Sequence, residues 1–146
     1  MSDIEKSVSR IIETYKSAAQ AKSVEAFMRL YDPKVQVFDA WGVWLYKGAD
    51  AWQLAVEGWF ASLGSDRVVV TFEEVMIHDF KDSAAVTAIV TYAVNASGAT
   101  QPRSMQNRLT WALRTTGHVL RIVHEHTSAP IGFEDQKAIL HRQAGA

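Results

Sequence analysis

The segment RIVHEHTSAP, residues 121–130, places two imidazoles one residue apart within an apolar run. Because successive side chains of a β-strand point to opposite faces, His124 and His126 would share one face and Glu125 would lie on the other. A carboxylate beside either histidine would hold one tautomer of the ring and raise its affinity for a proton. With Asp39 as that carboxylate, the sequence offers the groups for general acid/base catalysis near neutral pH.

Two other interpretations of these residues remain open. Histidines at positions i and i+2 on one face can bind a divalent ion if Asp39 or His78 supplies a further ligand. There is no HExxH motif and no cysteine to extend such a site, so no metal is expected. Each histidine could instead be a hydrogen-bonded core residue, and Asp39 could cap the turn that follows it at Trp41 and Gly42.

The composition favours one domain over residues 1–146, with residues 133–146 as a C-terminal tail. A chain of 146 residues that is 48% hydrophobic can bury a sizeable core. A net charge of −1 without a Lys/Arg block argues against a nucleic-acid partner. The lack of cysteine excludes disulfides, thiolate metal sites and a cysteine nucleophile. A polar N-terminus and the absence of a long apolar run predict a cytoplasmic protein with no membrane partner.

Hydrophobic periodicity places helices in the first half of the chain and long strands in the second. Apolar residues recur at helical spacing over residues 3–22, a short helix starts at Ser23 and stops before Pro33, and a third helix covers residues 48–63. The predicted strands cover residues 34–39, 43–47, 67–80, 83–96, 102–115 and 118–128. Residues 133–142 are predicted as a small helix or a loose tail. Helices followed by an antiparallel meander predict an α+β fold with the helices on one sheet face.

This order of elements, with YDPKVQVFDAWG in the first half and RIVHEHTSAP at the end, resembles the NTF2-like superfamily. Within it, the chain is most similar to the SnoaL-like and ketosteroid-isomerase-like branch. The resemblance covers nearly the whole chain. It implies a cone-shaped, cystatin-like α+β fold, a deep apolar pocket, no cofactor, and a homodimer formed through the outer face of the sheet.

The resemblance also implies roles for individual residues. Tyr15 matches the tyrosine whose hydroxyl stabilises an enolate oxygen in the ketosteroid isomerases, and Asp39 matches the carboxylate that moves the substrate proton. Asn107 takes the place of their second oxyanion donor, an Asp, and an amide can donate without a pKa adjustment. On the last strand, the pocket-facing positions of the family match His124 and His126 along with Ile122. Glu125 would then face a partner subunit.

Strand alternation extends the expected pocket lining to the neighbouring strands. The inward positions include Val90 and Tyr92 on one strand and Met105, Asn107 and Trp111 on the next. Two further tryptophans complete the expected ligand-binding set: Trp41, as part of a lid, and Trp59, at the pocket rim.

Together these residues predict a pocket for a small hydrophobic molecule, with proton transfer of the isomerase, dehydratase or cyclase type. The alternative is a non-catalytic ligand-binding or association module of the same superfamily. All alternation assignments on the last strand assume that no β-bulge interrupts it between Leu120 and His126.

Overall fold

A computed structural model of the protein describes residues 1–95 and 102–143. Its helices are α1 (Asp3–Ala21), α2 (Val24–Met28) and α3 (Ala49–Ser62). Its strands are β1 (Tyr31–Phe38), β2 (Tyr46–Lys47), β3 (Arg67–Asp79), β4 (Ser83–Asn95), β5 (Arg103–Thr116) and β6 (Val119–Ser128). The predicted end of the fourth strand at Ala96 and the SGAT turn after it lie outside the described residues, as does the end of the predicted tail at residues 144–146.

The first helix begins with a reciprocal cap and presents one apolar face. The Ser2 hydroxyl accepts a hydrogen bond from the Glu5 amide, and the Glu5 carboxylate accepts one from the Ser2 amide, so two free donors of the first turn are satisfied. After α1, Lys22 adopts a left-handed conformation that ends the helix. Ser23 then caps α2. The buried face of α1 consists of Ile4, Val8, Ile11, Tyr15, Ala18 and Ala19.

The six strands form one curved, unclosed sheet in the order β2-β1-β6-β5-β4-β3. Strands β3 to β6 make an antiparallel meander, and β1 joins the free edge of β6 in parallel. The helices precede this meander, with α1 packed against β3 and α3 against β1. The predicted α+β fold is therefore confirmed.

Helices and sheet enclose an aromatic core. Phe27 on α2 is fully buried and makes ring contacts with Tyr15, Tyr31, Trp59 and Phe60 at centroid distances of 4.7–5.9 Å. No helix in the described part of the chain is long and apolar enough to cross a membrane.

The segment after β6 returns along the sheet without forming a helix. A bridge between Ile131 and Ala138 turns the chain back. The Leu140 carbonyl then accepts a hydrogen bond of 2.7 Å from the Gln106 amide. Arg142 forms ion pairs with Glu73 and Glu74 on β3. Residues 133–142 therefore form a tail and no helix, but the tail is not loose as predicted, because it is anchored to β5 and β3.

Candidate active site

A cavity of about 640 Å³ lies between the inner face of the sheet and helices α1 and α3. Its wall is mainly aromatic and aliphatic, as expected for a small-molecule site. The exposed residues Trp41, Gly42, Arg103 and Ser104 line its opening. Most of the expected ligand-binding residues line the wall: Trp41, Trp59, Tyr92, Met105 and Asn107. Val90, Trp111 and Ile122 do not line it, and their side chains pack in the hydrophobic core instead.

A β-bulge in β6 reverses the predicted orientation of the last strand. Leu113 on β5 pairs with Ile122, but the next β5 residue, Ala112, pairs with His124, so Val123 is the extra residue. Ile122 therefore points inward as predicted, whereas every side chain after Val123 changes face. Glu125 and Thr127 line the cavity and are 1% and 4% exposed.

The inward orientation predicted for His124 and His126 is therefore wrong. The His124 Nδ1 atom lies 2.8 Å from the Gln36 carbonyl oxygen, and both imidazole rings meet the Phe38 ring edge-on. His126 lines a separate groove with Phe38, Val43, Trp44 and Leu45. Neither histidine hydrogen-bonds to Asp39. Among the described residues, no group of three His, Cys, Asp or Glu side chains could hold a metal ion, and His78 stacks on Phe80 instead.

Glu125 is the buried carboxylate of the cavity. Its Oε1 atom accepts a hydrogen bond of 2.6 Å from the Tyr31 hydroxyl and one of 2.9 Å from the Trp111 indole nitrogen. Within the described residues, no group donates to its other oxygen. Burial raises the pKa of Glu125 to about 7, and the nearby charge of Asp39 adds to the shift, while the bonds from Tyr31 and Trp111 oppose it. Both protonation states of Glu125 are therefore populated near neutral pH.

Asp39 follows β1 and lines the cavity beside Glu125 and Thr127. The Thr127 hydroxyl donates to Asp39 Oδ1 at 3.1 Å and accepts from the Ala40 amide at 2.9 Å. The other carboxylate oxygen accepts from the Trp41 amide at 3.3 Å, so Asp39 also caps the turn, as one interpretation of the sequence proposed. Burial raises the pKa of Asp39, although the bonds from Thr127 and Trp41 counteract the shift. The cavity thus contains two carboxylates of reduced acidity.

Two phenols and an amide form a second cluster of polar side chains at the cavity. The hydroxyl oxygens of Tyr15 and Tyr92 are 2.8 Å apart, and the Asn107 amide lies beside Tyr92. Burial raises the pKa of both tyrosines well above the ordinary value, so both remain protonated. The bond between them uses one of their two protons, which leaves one hydroxyl proton for a ligand. This arrangement can stabilise negative charge on a ligand oxygen.

Sequence reasoning missed Glu125, Tyr31 and Thr127 as residues of the candidate site. A glutamate in the interior of a strand, as Glu125 is in RIVHEHTS, is itself a signal, because a carboxylate buried there needs hydrogen-bond donors. The donors, Tyr31 and Trp111, are 94 and 14 residues away in sequence. Only the folded sheet brings them together.

The comparison with known families agrees with this fold. The SnoaL-like domain family matches the chain over residues 8–132. The chain belongs to the SnoaL-like domain family. Its sequence matches no curated protein.

Several solved structures share the fold of this SnoaL-like protein. An NTF2-like protein of unknown function from Pseudomonas putida is 22% identical over 96% of both chains, with a TM-score of 0.84. A provisionally named scytalone dehydratase from Novosphingobium aromaticivorans is 12% identical, with a TM-score of 0.75, over 98% of this chain and 94% of that one.

A provisionally named calcium/calmodulin-dependent protein kinase II association domain from Xanthomonas campestris has a TM-score of 0.68. It is 17% identical over 84% of this chain and 85% of that one. At these identities the similarity shows the NTF2-like, cystatin-like fold alone.

Proposed function

We propose that the cavity binds a small, largely apolar molecule and that Glu125 catalyses proton transfer on it. The observation that carries this proposal is a fully buried carboxylate with one oxygen held by Tyr31 and Trp111 and the other without a donor from residues 1–95 or 102–143. A pKa of about 7 suits both proton uptake and proton release at neutral pH. The reaction class is isomerase, dehydratase or cyclase chemistry.

The other polar groups have roles consistent with this chemistry. Ionised Glu125 would take a proton from a carbon beside a ligand carbonyl, while the free phenol proton of the Tyr15–Tyr92 pair bonds the oxygen that gains charge. Return of that proton to a different carbon completes an isomerisation. Protonated Glu125 could instead give its proton to a leaving hydroxyl while ionised Asp39 takes a proton from the adjacent carbon, so that a double bond forms and water leaves, which is the dehydratase direction. Asp39 raises the pKa of Glu125 and is a second candidate base.

A titration with fused-ring probes tests this proposal. Trp41, Trp52 and Trp59 line the cavity, so binding of 2-naphthol is expected to change tryptophan fluorescence. Between pH 5 and 9, affinity should fall as pH rises through about 7, because ionised Glu125 repels an electron-rich apolar ligand. Non-ionising 2-methoxynaphthalene serves as the control for titration of the probe itself.

Three variants make the titration specific. Glu125→Gln should bind with no pH dependence near 7, since Gln keeps an acceptor for Tyr31 and Trp111 but does not titrate. Asp39→Asn should move the midpoint to lower pH by removing a nearby negative charge. His124→Ala, outside the cavity, should match the unmodified protein. An unchanged pH profile in Glu125→Gln would contradict the proposal.

The second candidate function is association without catalysis. One structurally similar protein carries the name of a kinase association domain. The outer sheet face of this chain bears half-buried Ile89 and Ala93 and exposed Val119, and such a face suits contact with a second copy through the outer sheet. Catalysis and assembly are compatible with each other. The ligand titration distinguishes them, because a module that only associates should not bind 2-naphthol with a pH dependence near 7.

A further inference from the structure

Arg103 is the one cation among the described residues that line the cavity. It is the first residue of β5, and its side chain is 52% exposed at the cavity opening. Arg103 shares its face of the strand with Met105 and Asn107, which also line the cavity, so its side chain belongs to the inner face of the sheet. The opening of the cavity therefore carries a positive charge.

The guanidinium of Arg103 has a protein partner on one side. One of its terminal nitrogens lies 3.5 Å from a carboxylate oxygen of Asp66, whose side chain is 8% exposed in the loop between α3 and β3. No other ion pair or hydrogen bond joins Arg103 to residues 1–95 or 102–143. Because arginine carries several N–H donors in a planar fork, donors remain for a group that enters the opening.

The other charged groups of the described cavity wall are acidic. They are Asp39 and Glu125, and a ligand carboxylate beside either of them would meet like charge and lose its hydration. At the opening the same carboxylate would stay in contact with water and meet the opposite charge of Arg103. A single guanidinium matches the single charge of a carboxylate, and its fork fits the two carboxylate oxygens. An anionic ligand should therefore bind with a carboxylate directed outward.

The strand register sets the distance between this charge and the polar groups inside the cavity. Asn107 lies beside Tyr92, which is bonded to Tyr15, and it is four residues from Arg103 along β5. Four residues of strand correspond to roughly 13 Å. A ligand that contacts both places must therefore be elongated, with its carboxylate at one end and the group that bonds the phenols farther in.

We infer that Arg103 is a specificity residue, which binds the carboxylate of an elongated, mainly apolar carboxylic acid and directs the rest of that molecule into the cavity. This inference rests on the proposed binding of a small molecule there. Asp66 is the positioning residue of the guanidinium. The ligand carboxylate lies away from the reacting atoms and takes no part in the proton transfer.

Matched probes test the inference at pH 6, where a naphthoic acid is ionised and most of Glu125 is protonated. Arg103→Gln should weaken binding of 6-hydroxy-2-naphthoic acid about fivefold, as for the loss of an exposed ion pair, and leave its methyl ester within about twofold of the unmodified protein. Arg103→Lys keeps the charge and should retain most of the affinity for the acid. Arg114→Gln is the matched control, because Arg114 is an exposed arginine on the same strand and does not line the cavity.

Ionic strength provides a second measurement. Added sodium chloride should weaken binding of the acid to the unmodified protein and leave binding of the ester nearly unchanged, because salt screens an exposed charge pair. This difference between the probes should disappear in Arg103→Gln. Equal weakening of acid and ester by Arg103→Gln would overturn the inference, since the residue would then support the cavity wall only through Asp66.

Two further outcomes separate the inference from the proposed function. If the unmodified protein does not bind the acid saturably, the inference is overturned, whatever the result with 2-naphthol. If Arg103 discriminates acid from ester but the pH dependence of 2-naphthol binding is unchanged in Glu125→Gln, the inference holds and the proposed proton transfer fails. The cavity would then be a binding site for carboxylic acids without that chemistry.

Discussion

Glu125 lies in surroundings that oppose its charge. The side chain is 1% exposed, and the apolar cavity wall offers it two donors, both on one oxygen. Those bonds recover only part of the hydration that an ionised carboxylate loses on burial, so the proton is held more tightly than in water. The burial that suits Glu125 to the proposed proton transfer therefore lowers the stability of the protein at high pH.

The stability of the protein should therefore depend on the protonation of Glu125. The folded protein binds this proton with a pKa of about 7, whereas the ordinary value is 4.5. The free energy of unfolding should fall as pH rises from about 4.5 to about 7, because the folded state must then give up a proton that it holds more tightly than the unfolded chain. Above pH 7 that stabilising contribution is absent.

Glu125→Gln should remove this pH dependence. Relative to the unmodified protein, the variant should gain roughly 3 kcal/mol of stability between pH 4.5 and pH 8, which corresponds to the rise in pKa from 4.5 to about 7. Urea unfolding at both pH values measures the difference, and other titrating groups cancel in the comparison. A constant difference between the two proteins across this range would mean that Glu125 is not a neutral-pH acid.

At the scale of elements, the sequence predicts where the strands lie, but it predicts only in part which side chains point to the inner face of the sheet. Alternation assigned β4 and β5 correctly, since Val90, Asn107 and Trp111 point inward. It failed on β6 after Val123, because a β-branched residue in an apolar run has no mark that distinguishes a bulged position from a paired one. The bulge is defined by the register of β6 against β5, a long-range pairing that no local pattern contains. The catalytic candidates therefore changed from histidines to a glutamate.

The C-terminal tail is an element that completes the cavity. Leu140 lines the cavity while its carbonyl accepts from the Gln106 amide on β5, and the Arg142 ion pairs with Glu73 and Glu74 hold the segment beyond it. The apolar periodicity of the helices and strands does not extend into this tail. The sequence therefore does not predict that the tail lines the cavity.

Leu140→Ala should weaken binding of 2-methoxynaphthalene about threefold to tenfold, because the ligand loses apolar contact at the cavity wall. The loss should appear mainly as faster dissociation, measured by stopped-flow fluorescence. Ile139→Ala is the matched control, since Ile139 is the adjacent aliphatic residue, is 47% exposed and does not line the cavity. Equal effects of the two substitutions would indicate that the tail acts only on stability.

At the scale of the whole molecule, the two faces of the sheet have different surroundings. Together with α1 and α3, the inner face forms the core and the cavity. The positions of these helices along the chain were predicted from hydrophobic periodicity alone. The outer face has no helix against it in the described structure. Its centre combines half-buried Ile89 on β4 with its pairing neighbours Arg108 and Glu73, the latter in an ion pair with Arg142 of the tail. This mixture of apolar and charged groups suits a symmetric contact with a second copy.

We expect the protein to form a dimer through this face, and Ile89→Arg should convert it to a monomer. Two arginines brought together at a two-fold axis would be desolvated without partners, at a cost that a standard-sized interface does not offset. Sedimentation velocity at several concentrations measures the change. Leu54→Arg, on α3 and 70% exposed, is the matched control and should remain dimeric. If the unmodified protein sediments as a monomer, the dimer is refuted. If monomeric Ile89→Arg retains pH-dependent binding of 2-naphthol, the cavity functions independently of assembly.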